Sequence, residues 1–148
     1  MSKRRRRGRI LGLLLVTGLL LAVGCNTVAT RLVDREDKRV ARNADGIMKG
    51  AEAREFGDPQ SPNAVLFVHG FAGAGTNFNQ LPKQFADTGW YVRVMRLPGH
   101  GTSPRDLENV TVDELEKAVL DEVVELKKTH ERVVLVGHSM GGALCTLA

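Results

Sequence analysis

Cysteine is scarce: Cys25 and Cys145 are the only two, and neither sits in metal-ligand spacing with other residues. That excludes a thiolate metal site, and no cofactor is implied anywhere in the chain. No internal repeat occurs, and no low-complexity block beyond a single arginine run, which excludes a repeat array. Acidic residues are missing from residues 1–24, which carry six of the 21 Lys+Arg: Lys3, Arg4, Arg5, Arg6, Arg7 and Arg9. The formal charge of +4 belongs to that stretch, because without it 15 basic residues face 17 acidic ones, a net −2. The remainder therefore has no electrostatic footprint for nucleic acid, and nucleic acid is excluded as a partner. A phosphate loop is also lacking. The glycine-rich stretch His69-Gly70-Phe71-Ala72-Gly73-Ala74-Gly75 is not followed by G-K-[ST], which excludes nucleotide binding of that kind.

What is present begins with a tripartite N-terminus. Lys3 to Arg9 is positive, Ile10 to Val23 is apolar, and the segment closes in Leu21-Ala22-Val23-Gly24-Cys25. The apolar run is short against the roughly 20 residues of a membrane span but suits a signal peptide. The closing residues resemble a bacterial lipoprotein signal. That resemblance implies a signal peptide over 1–24, lipidation of Cys25, and an exported protein anchored to a membrane of the cell envelope. An ordinary cleaved signal, a short uncleaved anchor and a twin-arginine signal remain as alternatives. With Cys25 lipidated, Cys145 has no disulfide partner and reads as a small buried hydrophobe.

Residues 25–45 are crowded with charge, from Arg31 and Asp34 through to Asp45, and predict a polar tether or a short surface helix. The domain is placed over 46–148. Gly46 to Phe56 is read as a short strand or a loop, and Gly57 to Asn63 as a turn-rich boundary.

Ala64-Val65-Leu66-Phe67-Val68 is a continuous apolar run and predicts a strand buried on both faces. Phe78, Leu81 and Phe85 recur at helical spacing, with Pro82 near the first turn and Gly89 as a stop. Trp90 to Met95 predicts a third element of the sheet, ending in the tight loop Leu97-Pro98-Gly99-His100-Gly101-Thr102-Ser103-Pro104. Thr111 with Glu114 forms a capping box, and Leu115, Val119, Val123 and Leu126 share one face of the helix it opens. Alternation of strands and helices predicts an α/β fold with a parallel sheet.

The chain is organised around Val133-Val134-Leu135-Val136-Gly137-His138-Ser139-Met140-Gly141-Gly142. A buried strand runs directly into G-x-S-x-G. A serine on a sharp strand-to-helix turn is strained, and glycines two residues to either side leave room for it. The helix start offers backbone N–H groups to a developing oxyanion.

His69-Gly70-Phe71, Leu97-Pro98-Gly99-His100-Gly101 and Gly137-His138-Ser139-Met140-Gly141 stand in the order and spacing of the α/β-hydrolase superfamily. The match, over about residues 46–148, is most similar to its monoacylglycerol lipase, carboxylesterase and serine aminopeptidase-like branch. The resemblance implies Ser139 as nucleophile and the backbone N–H groups of Met140 and Phe71 as oxyanion hole. It also implies a central position for the strand ending at Val68. His69 and His100 are shaping residues on this reading, His138 points away from the serine, and His130 is a surface residue at a helix end. None stands where the superfamily places its base, so the triad acid and histidine are expected beyond residue 148. The chain is then the N-terminal part of a longer hydrolase, inactive alone. The implied activity is cleavage of a small-molecule ester or lipid, such as a monoacylglycerol or lysolipid, through an acyl-serine. Amide or peptide cleavage, and a non-catalytic lipoprotein binding module, remain as alternatives.

Overall fold

The computed structural model describes the backbone of residues 3–148 and the side chains from Leu14 onward, in two units, Met1–Val40 and Ala41–Ala148. In the first, α1 (Lys3–Asp37) is a single helix of 35 residues. It runs unbroken through Cys25 and through most of the charged segment expected to be a polar tether or a short surface helix. The side chains of the basic run Lys3–Arg9 and of the first apolar residues, 10–13, lie outside the described residues. From Leu14 to Asp37 the helix has the length and composition to cross a membrane, a test that a signal sequence near the N-terminus also meets.

The second unit starts earlier than the expected boundary at residue 46. Arg42 bridges antiparallel to Met48. The segment is fastened onward by the Met48 N–H donating to the Gly101 carbonyl (2.7 Å) and by the Arg42 guanidinium donating to the Thr102 carbonyl (3.0 Å).

Four strands form one sheet: β1 (Arg54–Phe56), β2 (Asn63–Val68), β3 (Tyr91–Val94) and β4 (Arg132–Gly137), in the order β1-β3-β2-β4. β2 is the central strand of the parallel set, as expected, paired in register from Ala64↔Tyr91 on one side and to Val68↔Gly137 on the other. The three expected strands form the parallel set, and β1, in the segment read as a short strand or a loop, adds to it an edge that runs antiparallel to β3.

Period-two alternation sorts β2 and β3 into two cores. Ala64, Leu66 and Val68 face α4 (Val112–Leu126) and α5 (Met140–Leu147), packing with Leu115, Val119, Val123, Leu126 and Leu144. Val65 and Phe67 face the other way, with Val92, Val94 and the rings of Phe78 and Phe85. Phe67 meets those two rings edge-on, at 4.9 and 5.7 Å between centroids, geometry that adds to the burial term. The run 64–68 is fully buried on both faces, as a central parallel strand requires.

Three local expectations change. The helical spacing of Phe78, Leu81 and Phe85 is split into a 3₁₀ turn at Gly75–Phe78 and α2 (Leu81–Asp87), because Asn79 between them takes a left-handed φ of 49°. The loop after β3 contains a short helix, α3 (Pro104–Glu108), capped by the Ser103 hydroxyl on the Asp106 N–H. And β4, expected to be buried on both faces, is half-exposed, with Val134 at 37%. β4 stands at the edge of the sheet, with β2 as its neighbour among the described residues. The Thr111–Glu114 capping box forms in both directions.

Candidate active site

β2 and β4 are adjacent and parallel, yet the chain leaves their carboxyl ends toward opposite layers. After Val68 it proceeds to Phe78 and α2 on one face, and after Gly137 to α5 on the other. Such a divergence opens a crevice at the carboxyl ends of the strands, the place where open α/β sheets bind ligands. The expected residues meet there.

Ser139 caps α5 with φ 54° and ψ −121°, a conformation that costs a non-glycine residue about 1–3 kcal/mol. The turn is as tight as the glycine spacing predicts. A Cβ on Gly137 would stand 2.5 Å from the Gly141 carbonyl oxygen and from Gly142 Cα. One on Gly141 would be driven into the Val68 and His69 carbonyl oxygens. The His138 N–H donates to the Val68 carbonyl at 3.0 Å and extends the β2–β4 ladder to the turn. Met140 is the first residue of α5, where an N–H lacks an intrahelical acceptor.

The loop after β2 comes up against this turn. A Cβ on Gly70 would lie 3.1 Å from both Ser139 Cβ and the His138 carbonyl oxygen, so any larger residue would press the loop back from the serine turn by a few tenths of an ångström. Gly70 enters the sequence reading only as part of the His69-Gly70-Phe71 motif, and its contact with the serine turn is what the structure adds. A turn follows, closed by the Gly73 N–H on the Gly70 carbonyl (3.1 Å), with Ala72 in a left-handed conformation (φ 51°). Phe71 takes its place in this turn, its N–H making no backbone bond among the described residues and its side chain 70% exposed. Ser139, Met140 and Phe71 are thus brought together. Cys25 belongs to the other unit.

His69 joins this loop to the next. It is fully buried, and its Nδ1–H donates to the Gly70 carbonyl (3.0 Å) while Nε2 accepts from the Leu97 N–H (3.1 Å). Two opposite roles on one ring fix the Nδ1–H tautomer.

Residues 65–148 match the model of the alpha/beta hydrolase family. The chain belongs to that family. It is similar to the thermostable monoacylglycerol lipase of Bacillus sp. (strain H-257), 35% identical over 98 residues that cover 66% of this chain and 38% of the relative. Among solved structures it is similar to that of the metagenome-derived lipolytic enzymes LipS and LipT, with TM-score 0.62, 32% identity, and coverage of 66% of this chain and 39% of that one. The monoacylglycerol lipase of Paleococcus ferrophilus superposes with TM-score 0.52 at 30% identity, covering 63% of this chain and 35% of that one. The chain spans 30–38% of the length of the first three curated relatives it matches.

Within this alpha/beta hydrolase chain, no histidine ring is hydrogen-bonded to the Ser139 hydroxyl among the described residues. His138 is exposed, with its ring lying against Gly70. His130 corrects the expectation of a surface residue. It is 6% exposed, donates Nδ1–H to the Ser61 carbonyl at 2.6 Å and stacks on Tyr91 at 4.9 Å. It secures the amino ends of the strands, far from the carboxyl-end crevice. Cys145 packs half-buried against the α4–α5 core, and burial pushes its thiol pKa up, away from nucleophilic use. No cluster of three or more metal-ligating side chains occurs among the described residues.

Burial pushes His69 below its ordinary value of 6.5, with His100 and Arg96 adding to the shift and the Gly70 hydrogen bond opposing it. The unfolded chain therefore binds this proton more readily than the folded one. The stabilisation is complete above about pH 6.5 and is lost as pH falls toward the folded value. Unfolding free energy measured by denaturant titration is expected to drop between pH 8 and pH 5 in the wild type, and less steeply in His69→Gln. Equal slopes in the two proteins would refute the assignment.

Proposed function

We propose that this protein is an exported, membrane-anchored serine hydrolase that cleaves carboxylic esters through an acyl-serine intermediate. The observation that carries the reading is the strained Ser139, held at the β4–α5 turn with the Phe71 loop against it. In the proposed reaction the Ser139 hydroxyl oxygen attacks the ester carbonyl. The developing oxyanion takes hydrogen bonds from the Met140 and Phe71 N–H groups, each worth roughly 3 kcal/mol in the transition state. The alcohol leaves, and water then releases the acid from the serine. The general base and the acid of the triad are assigned to a part of the protein outside residues 1–148. Without them the serine is a weak nucleophile at neutral pH, so these residues alone are proposed to be inactive.

An ester substrate is favoured over an amide because the similar proteins named above are lipases and lipolytic enzymes. A monoacylglycerol or lysolipid fits the same names. The anchor is assigned to Cys25, on the strength of the residues Leu21 to Cys25 and the apolar helix around them. Lipidation there, with cleavage after Gly24, would place the site in the cell envelope, beside lipid substrate.

A fluorophosphonate probe tests the central claim. The intact protein is expected to form a covalent adduct at Ser139 that is lost in Ser139→Ala. A folded intact protein that stays unlabelled sinks the enzyme reading and leaves the binding-module alternative.

A further inference from the structure

Next to the Phe71 turn lies a cavity of about 380 Å³ to which nothing above gives a role. Its wall is mostly apolar, formed by Met48, Ala51, Ala72, Pro104 and Leu107, and its polar member of interest is His100. Ala72 is two residues from Gly70, the backbone that touches Ser139, so the cavity and the approach to the serine share one loop.

His100 is 2% exposed, and its ring carries an unsatisfied atom. Nδ1 lies 2.9 Å from the Pro98 carbonyl oxygen. A carbonyl only accepts, so Nδ1 carries the proton, and Nε2 of the neutral ring is a bare acceptor. Among the described residues Nε2 is buried without a partner. An orphan of this kind disfavours the fold unless another group satisfies it, and it is the sort of exception that marks a ligand position.

Two rings pack on His100. His69, 5.0 Å away, is fully buried and held by two hydrogen bonds. Phe71, edge-on at 6.3 Å and 89°, is largely exposed and has room to turn. Of the two, Phe71 is therefore the ring free to move away from His100.

We propose that this cavity recognises an aliphatic group bearing a hydroxyl, whose O–H donates to His100 Nε2 when Phe71 turns aside. The esters presented to Ser139 then carry a free hydroxyl on the alcohol portion. That last statement rests on the ester-hydrolase reading, whereas the recognition itself does not.

The test uses the ¹⁵N-labelled intact protein titrated with butan-1-ol and with methyl propyl ether, which is similar in size but lacks the donor. Butan-1-ol is expected to shift the Ala72, Gly73 and Leu107 amides saturably, together with the His100 Nε2 resonance, and to bind roughly 10-fold more tightly than the ether. In His100→Phe, which keeps the ring and removes the acceptor, the two ligands should bind equally. Leu107→Trp, which fills the cavity and leaves His100 alone, should lose both. The proposal is overturned if the ether binds as well as the alcohol to the wild type. It is also overturned if the shifts fall elsewhere, or if Nε2 ignores the alcohol because a water molecule already holds it. Fluorophosphonate labelling is read separately: unlabelled protein that still prefers the alcohol removes the hydrolase reading and keeps the recognition site.

Discussion

Gly141→Ala is expected to cost this protein more than about 3 kcal/mol, enough to leave much of it unfolded. Overpacking in a core costs about 1–3 kcal/mol when side chains can shift, and more when they cannot. The added methyl group here meets the carbonyl oxygens of Val68 and His69 rather than movable side chains. Both carbonyls belong to the carboxyl end of the central strand. The Val68 carbonyl already accepts the His138 N–H at 3.0 Å, so relief of the clash requires parting β2 from β4. Chemical denaturation would show the loss directly. Gly142→Ala is the matched control, because a Cβ there meets nothing closer than the Gly137 carbonyl oxygen at 3.5 Å. Comparable losses in the two variants would contradict the close-approach account.

Ser139→Gly is expected to lower turnover by the intact protein by a factor on the order of 10⁶, since members of a nucleophile-base unit fail together. The same substitution should raise stability. At φ 54° and ψ −121° a side chain is held against its preference, and glycine accepts that backbone freely. Relief of about 1–3 kcal/mol outweighs the 0.5–1 kcal/mol that glycine's extra unfolded-state freedom removes. A net gain of about 1 kcal/mol corresponds to a few degrees in Tm for a domain of this size. Ser139→Ala keeps a Cβ in the strained position and should lose activity without that gain. Thermal unfolding of the three proteins separates the cases: a Ser139→Gly variant no more stable than Ser139→Ala would mean the turn holds no strain worth relieving.

Much of this site could be read directly from residues. Two apolar runs, each followed by glycine-punctuated turns, place Ser139 and Phe71 at strand ends, and the register of β2 with β4 brings those ends together. What escaped the reading depended on tertiary context. Val133–Val136 is as continuously apolar as Val65–Val68, yet exposure differs because one strand lies at an edge and the other is central. Helical spacing across Phe78–Phe85 was real, but a single left-handed Asn79 divides it. Ser103-Pro104 closes what reads as a tight loop, yet with Asp106 at N3 it is also the capped start of α3. His130 reads as a surface residue because it ends a helix beside Glu131. Its burial comes from Ser61 and Tyr91, distant in the chain.

Pairing of Val68 with Gly137 has one more consequence, for insertions and deletions. Each residue of strand advances the chain by about 3.3 Å and reverses the side to which side chains point. Deleting one residue within β2 would therefore pull the Phe71 turn back from Ser139 by about 3.3 Å, while β4 and its serine stayed in place. Moving the same deletion into the exposed 58–60 turn, ahead of the buried Ser61, would shorten a turn and leave the pairing frame intact. Length changes in this gene should accordingly be tolerated in that turn and between α3 and α4. They should be scarce across the two strands that measure out the distance between Ser139 and the Phe71 turn.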